Sequence, residues 1–336
     1  MNNNLKENLN GFLFKNVRDY ENKGNYTHSR IPNKHYNVKG GSFNIKKEDR
    51  QKFLNLYHDK VFIKKQKEYL VEKQNRETGG PIMVDLDFRY DENVNSKQHN
   101  SKWIKKLVKL YYKNIKKIFY LKEDKEINIV IYVLEREKVY KDEAKNIVKD
   151  GIHIIIGIHS EHVSQLILRD LVIKACQKNK LMEELPLKNN IEDVFDEGIS
   201  KGITPWQLYG SCKPGKTSYK LKCVYKIIKN GNNEKITTIT PKKEDFKHFN
   251  NHKDLIEKTS VQYEGYPKYD ILDSMKETYE EQKKKINHKN KKKSSIKHKK
   301  KSSILTNQNI LNVAIPTTVK AIEDIALNII EEKISL

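Results

Sequence analysis

The stretch GSCKPGKTSYKLKCVYKI, Gly210–Ile227, decides between two architectures. Its first eight residues fit G-x-x-x-x-G-K-[ST], a phosphate-binding loop that works only between a buried strand and a helix whose first amides face the phosphates. The residues after Thr217 have the wrong period for that helix. Tyr219, Leu221, Cys223, Tyr225 and Ile227 alternate with mostly polar neighbours, as in a half-buried strand. A strand–loop–strand offers no helix N-terminus, and the carboxylates that could serve a P-loop, Asp85 and Asp87, lie far upstream. The P-loop ATPase reading is therefore the weaker one. Ser211, Lys213 and Lys216 are read as a Gly/Ser/Lys turn that meets phosphate in another way.

Upstream, Gly79-Gly80-Pro81 signals a turn and Ile82–Val84 a short buried strand ending at Asp85-Leu86-Asp87. Residues i and i+2 of a strand share a face, so Leu86 points to the core and both carboxylates into one cleft. Two like charges this close repel unless a cation neutralises them, and hard oxygen ligands suit Mg²⁺ or Mn²⁺. A D-x-D pair is also common as a solvated strand end. In VKDGIHIIIG, Val148–Gly157, His153 heads an Ile-rich strand. A histidine there is often a satisfied core residue, but the strand-start position is read as exposed. Gly151 permits close approach by a ligand, and Lys149 and His153 can both reach a triphosphate. Further on, Asp193 and Asp196 are both candidates for a third carboxylate, against a plain acidic surface cluster with Glu192 and Glu197.

Charged residues make up 33% of the 336, with a formal net charge of +22, which favours polyanionic partners. Eleven of the nineteen residues Lys283–Lys301 are lysine, a solvated, disordered linker or a non-specific DNA-binding segment. Cys176, Cys212 and Cys223 form no C-x-x-C pair, so neither disulfides nor a structural zinc are expected, which suits a reducing compartment. MNNNLKENLN lacks an apolar signal core and no apolar run approaches 18 residues, so a soluble protein is expected.

Helices are expected at Glu48–His58, Ser101–Phe119 and from Glu161 to about Lys180 with Ser160 as N-cap. Val61–Val71, Ile127–Leu134, Ile152–Ile158, Trp206–Tyr209 and Tyr219–Ile228 read as extended. Separated strands and helices make this an α+β chain. Residues 1–20 are expected to be flexible, 21–270 to form the catalytic domain, 271–316 a Lys-rich linker and 317–336 an amphipathic C-terminal helix.

The D-x-D strand, the Lys149–His153 element and Asp196 before Trp206–Lys213 together resemble the archaeo-eukaryotic primases, in particular the primase part of the primase-helicases of large DNA viruses. YTHSRIP and GGSFNI near the N-terminus add to the likeness, which covers roughly residues 20–240. Two departures stand out. Gly151 replaces a serine of the S-x-H motif, and Gln207 stands where some relatives carry arginine. The resemblance implies a core similar to an RNA-recognition-motif sheet with an added N-terminal α/β unit. It implies a DNA primase or primase-polymerase in which Asp85, Asp87 and Asp196 hold two Mg²⁺ or Mn²⁺ ions. The incoming NTP or dNTP would be bound by Lys149, Gly151, His153, Ser211, Lys213 and Lys216. Single-stranded DNA would be the template, and a helicase domain or subunit the partner, in a viral factory of the cytoplasm or in the nucleus. The chain is then either a fragment of such a protein or a stand-alone primase domain. Three rivals remain: a D-x-D glycosyltransferase, the P-loop ATPase, and an inactivated primase-like module that only binds DNA or recruits a helicase.

Overall fold

Alternating apolar residues organise the middle of the chain into strands, described in a computed structural model that covers residues 7–19, 25–121, 126–231 and 233–286. In chain order the strands are β1 (His28–Arg30), β2 (Gly41–Phe43), β3 (Leu70–Glu72), β4 (Gly80–Asp91), β5 (Ile127–Glu135), β6 (Tyr140–Asp142), β7 (Ile147–Ser160), β8 (Trp206–Gln207), β9 (Lys220–Asn230) and β10 (Asn233–Ile239). The helices are α1 (Leu9–Lys15), α2 (Arg50–His58), α3 (Ser101–Ile118), α4 (His162–Lys178), α5 (Ile191–Val194), α6 (Glu197–Ser200), α7 (Phe246–Phe249) and α8 (His252–Lys258). A larger sheet runs β10-β9-β5-β7-β4, with β6 on β7, and a smaller one runs β2-β1-β3-β8. All these pairings are antiparallel, and the fold is α+β. Helices α3 and α4 follow β4 and β7, and β9 lies beside β5 in the larger sheet.

Period two sorts β4 between two environments. Leu86, Phe88 and Tyr90 are fully buried on the back face. Trp103 of α3 meets Phe88 edge-on at 5.8 Å and donates its indole N–H to Leu181 O at 3.0 Å. Asn100 caps α3 by accepting from Lys102 N and Trp103 N. On the front face, Met83, Tyr132, Leu134, Ile155, Tyr219 and Val224 share one core with Phe53, Leu54 and Tyr57 of α2, Leu70 of β3 and Trp206 of β8. The smaller sheet and its helices thus cover the first half of β4. Past Met83 this cover thins: Asp85 is half-buried and Asp87 is exposed.

Several sequence expectations change. The strand carrying D-x-D does not stop at Asp87: β4 and β7 stay in register from Ile82↔Ile156 to Asp91↔Ile147, because backbone pairing carries them through their polar halves. His153 is consequently mid-strand. Val61–Val71 is not extended throughout, since α2 passes into a wide helical turn at Asp59–Ile63 and only Leu70–Glu72 is strand. Ser160 ends β7 instead of capping α4, whose N-cap is Glu161, without a side-chain hydrogen bond. Residues 9–15, expected to be flexible, form α1, which buries Leu9, Phe12 and Leu13. Residues 273–286 are helical where a linker was expected. The C-terminal helix at 317–336, and the Lys-rich segment beyond 286, lie outside the described residues.

If α1 belongs to the core, Phe12→Ala should cost about 3 kcal/mol in denaturant unfolding, the scale of a buried aromatic truncation. Phe14→Ala on the same helix, with Phe14 at 80% exposure, should stay within about 0.5 kcal/mol.

Candidate active site

Cross-strand register builds the site. Asp85 lies opposite His153, Asp87 opposite Gly151 and Arg89 opposite Lys149, all on the front face. The other edge of β4 is filled by the segment 188–196. Lys188 N donates to Arg89 O at 2.7 Å, Asn189 Nδ2 to Asp87 O at 2.9 Å and Asp196 N to Asp85 O at 3.0 Å. Arg169 of α4 holds this segment, its Nε donating to Phe195 O at 2.9 Å and its Nη2 to Glu192 O at 2.8 Å. Asp196 also caps α6, its Oδ1 accepting from Ile199 N at 3.0 Å. Its carboxyl group is thereby fixed beside the other two. Asp196 is the third member of the cluster; Asp193, the other candidate, is not.

One carboxylate oxygen from each of Asp85, Asp87 and Asp196 lies within 4.8 Å of the others. Burial, then the charges of Asp87 and Asp196, push Asp85 well above the usual carboxylate range, while Lys213 and Arg136 oppose this. Asp87 is raised as well, mainly by burial and with Lys213 opposing. Asp85 Oδ1 is buried without a hydrogen-bond partner. A divalent cation would neutralise the cluster and coordinate that oxygen, so the donor set fits Mg²⁺ or Mn²⁺.

A layered wall of rings and cations flanks the carboxylates. The His153 ring stacks on Tyr219 with centroids 3.6 Å apart and lies 4.4 Å from Trp206. The Arg136 guanidinium sits 4.4 Å above Tyr219 and 5.1 Å from Tyr140, and Lys216 Nζ is 3.8 Å from the Tyr140 ring. Arg136 is 5% exposed and its Nε has no hydrogen-bond partner. Arg136 of this wall and Lys213 bring compensating charge to the cluster.

His153 is not exposed as its expected strand-start position suggested: it is 5% exposed. Burial, then Arg136 and Lys213, hold its pKa well below the ordinary value. The ring is therefore neutral, and its 3.4 Å approach of Nε2 to Asp85 Oδ1 is a packing contact and not an ion pair. Ser211 faces away from the cleft. It is fully buried, its Oγ 2.8 Å from Tyr57 Oη and accepting from Leu70 N at 3.1 Å, so it braces β3 against α2. Lys149 is on the front face but pairs with Asp142 at 2.6 Å. Gly210 and Gly215 both have positive φ in the 210–217 turn, and β9 comes directly after it, which excludes the P-loop geometry.

Gly151 has a packing reason. A Cβ there would lie 2.7 Å from Tyr219 Oη and 2.9 Å from Leu86 O. The space a side chain would take at 151 is filled by the tyrosine hydroxyl. Sequence alone marks Tyr219 only as the first apolar position of an alternating stretch, and it does not single out Arg136 or Tyr140 at all. Arg136 sits in the Glu135–Lys138 charge run after β5, where it looks like a solvated turn residue.

Residues 33–225 match the family model described as C962R protein N-terminal AEP domain, which is more than half of the chain. The chain belongs to this family of archaeo-eukaryotic primase (AEP) domains. It is also 34% identical over 174 residues to a protein of Acanthamoeba polyphaga mimivirus named "Putative helicase L207/L206", over 52% of this chain and 17% of that protein. The AEP match includes Asp85, Asp87, Gly151, His153, Asp196 and the turn with Lys213 and Lys216. Among the described residues, no helix is long and apolar enough to cross a membrane.

Folding raises the proton affinity of Asp85 and Asp87 above that of the unfolded chain, whose carboxyls titrate near 3.8. The resulting stability is complete below that pH and is lost as pH rises through the raised folded values. In chelator near pH 7, Asp85→Asn should therefore be more stable than wild type, by on the order of 1 kcal/mol, and unfold at a higher temperature. That gap should close toward pH 4, and Mg²⁺ should stabilise wild type more than the variant, as read by calorimetry. Gly151→Ala should cost about 1–3 kcal/mol through overpacking. Tyr219→Phe should restore part of this in the double variant, the remainder reflecting the unrelieved contact with Leu86 O.

Proposed function

We propose that the AEP domain of this chain is a DNA primase that joins nucleotides on a single-stranded DNA template. The observation that carries the reading is the convergence of Asp85, Asp87 and Asp196 at the open end of the front face. Two Mg²⁺ or Mn²⁺ ions held there would supply the clamp on the attacking hydroxyl and the α-phosphate that nucleotidyl transfer needs. Arg136, Lys213 and Lys216 would neutralise the triphosphate of an NTP or dNTP. His153 acts by position: as a neutral ring wedged between Tyr219 and Trp206, it fixes the side of Asp85. Gly151 and the Tyr219 hydroxyl shape the floor beneath the substrate. Lys149, tied to Asp142, adds positive charge at the margin.

The part of the chain that carries this activity is the domain of residues 21–270, extended at its N-terminus by α1. The match to the mimivirus protein covers a small part of that protein's length, and its name supports a helicase domain or subunit as the partner of this domain. Replication of a large viral genome is the setting that this kinship supports. The reading as an inactivated DNA-binding module rests on the hydroxyl that Gly151 lacks. With the Tyr219 hydroxyl packed at that position, the glycine is no sign of decay.

Primer synthesis on single-stranded DNA with Mg²⁺ or Mn²⁺ and all four NTPs or dNTPs tests the proposal. Wild type should give product, and Asp85→Ala should lower the rate by about 10³-fold or more, as expected for losing a metal-holding carboxylate. Absence of product from folded wild type with either metal would overturn it.

A further inference from the structure

A second cavity, of about 170 Å³, lies under the smaller sheet between β1, β3 and α2. None of its lining residues belongs to the carboxylate site. Ile45, Phe53, Leu54 and Leu208 give it an apolar wall, and His28, Arg50 and Glu72 its polar side.

Hydrogen-bond accounting leaves two donors aimed into this space. His28 is 4% exposed, with Nδ1 2.9 Å from Thr27 Oγ1. Thr27 Oγ1 accepts from Ile45 N at 3.0 Å, and when its hydroxyl donates to His28 Nδ1 the proton of the neutral ring sits on Nε2. His28 Nε2 has no hydrogen-bond partner and lies 3.5 Å from Glu72 Oε1. Glu72 is already served by the Ser260 hydroxyl and by Val261 N at 3.1 Å. Arg50 Nη1 donates to Gln262 O, while Arg50 Nη2 is buried with no partner. A buried guanidinium N–H without an acceptor is costly unless something fills the place. At the cavity, Lys47 is paired with Glu264 at 2.7 Å, and Lys46 supplies a further positive charge.

We propose that this cavity is a phosphoryl-binding site. An oxyanion seated there accepts from Arg50 Nη2 and from His28 Nε2–H, in the tautomer whose Nδ1 accepts from the Thr27 hydroxyl, with Lys46 nearby. Arg50 and Lys46 outweigh the single buried carboxylate of Glu72. The volume takes a phosphate or pyrophosphate but is well below the ~300 Å³ of a typical pocket for a larger ligand. A sugar and base attached to that group project out of the cavity. The phosphoryl group therefore belongs either to a free nucleotide or pyrophosphate, or to the end of a nucleic-acid strand. Trp206 connects this cavity with the carboxylates. It pairs with Glu72 across the ladder, donates its indole N–H to Thr259 O at 3.2 Å beside Ser260, and lies 4.4 Å from His153.

Equilibrium dialysis of labelled pyrophosphate against the full chain in metal-free buffer tests this, since without metal the three carboxylates repel the anion. Saturable binding should be weakened about tenfold or more in Arg50→Gln and in His28→Gln, as for the loss of a charge-assisted hydrogen bond. Asp85→Asn should bind like wild type. If Arg50→Gln does not fold, Lys46→Gln replaces it and should weaken binding severalfold. Displacement by ATP identifies a free nucleotide as the source, and displacement by a 5′-phosphorylated oligonucleotide but not its unphosphorylated form identifies a strand end. No saturable binding by wild type, or binding that Asp85→Asn abolishes and Arg50→Gln and His28→Gln leave intact, overturns the proposal.

Discussion

Three carboxylates that repel one another must be held together before any cation arrives, and the backbone of β4 does this. Its ladder with β7 fixes Asp85 and Asp87 on one face, and its outer carbonyls anchor the segment that delivers Asp196. The force opposing the cluster is electrostatic and falls on side chains. The force maintaining it is hydrogen bonding between main-chain groups with little freedom to move. Arg169 adds a second tie from α4, so the sheet and a helix of the back layer share the load. The site is assembled in advance at a cost in stability, as expected where charged ligands are arranged for a task.

Location is set by the way the two sheets share a core. The smaller sheet and α2 cover the first half of β4, where Met83 packs, and leave the second half open. The carboxylates sit at this margin, half sheltered by apolar packing and half facing the cleft. The wall from His153 through Tyr219 and Arg136 to Tyr140 and Lys216 extends the shelter with rings while keeping positive charge close. Charge–ring stacking of this kind keeps the cations ordered without tying them to the acidic cluster.

Much of this architecture is legible in the sequence. The alternation after Gly215 rules out a P-loop, period two predicts that Asp85 and Asp87 share a face opposite to Leu86, and the helical spacing in Ser101–Phe119 yields α3 nearly to the residue. Depth is what a sequence does not carry. His153 lies on a strand covered on both faces, and a histidine in an Ile-rich run looks the same whether its ring meets a ligand or a tryptophan. Ser211 has the composition of a binding turn but faces a buried tyrosine hydroxyl. Arg136 lies in a run of charges typical of a solvated turn and becomes part of the site only because β9 brings Tyr219 beneath it. Residues 9–15, flanked by Asn and Lys, carry too short an apolar pattern to be distinguished from a flexible terminus.

The closed edge of β4 has a bearing on solubility. An uncovered edge strand offers its carbonyls to any passing extended chain and is a route to self-association. Here the carbonyls of Asp85, Asp87 and Arg89 are taken by the same short segment that brings in Asp196. That segment therefore has a second role that does not depend on its carboxylate. Loosening it would uncover the edge of β4 and leave its carbonyls free to pair with another strand.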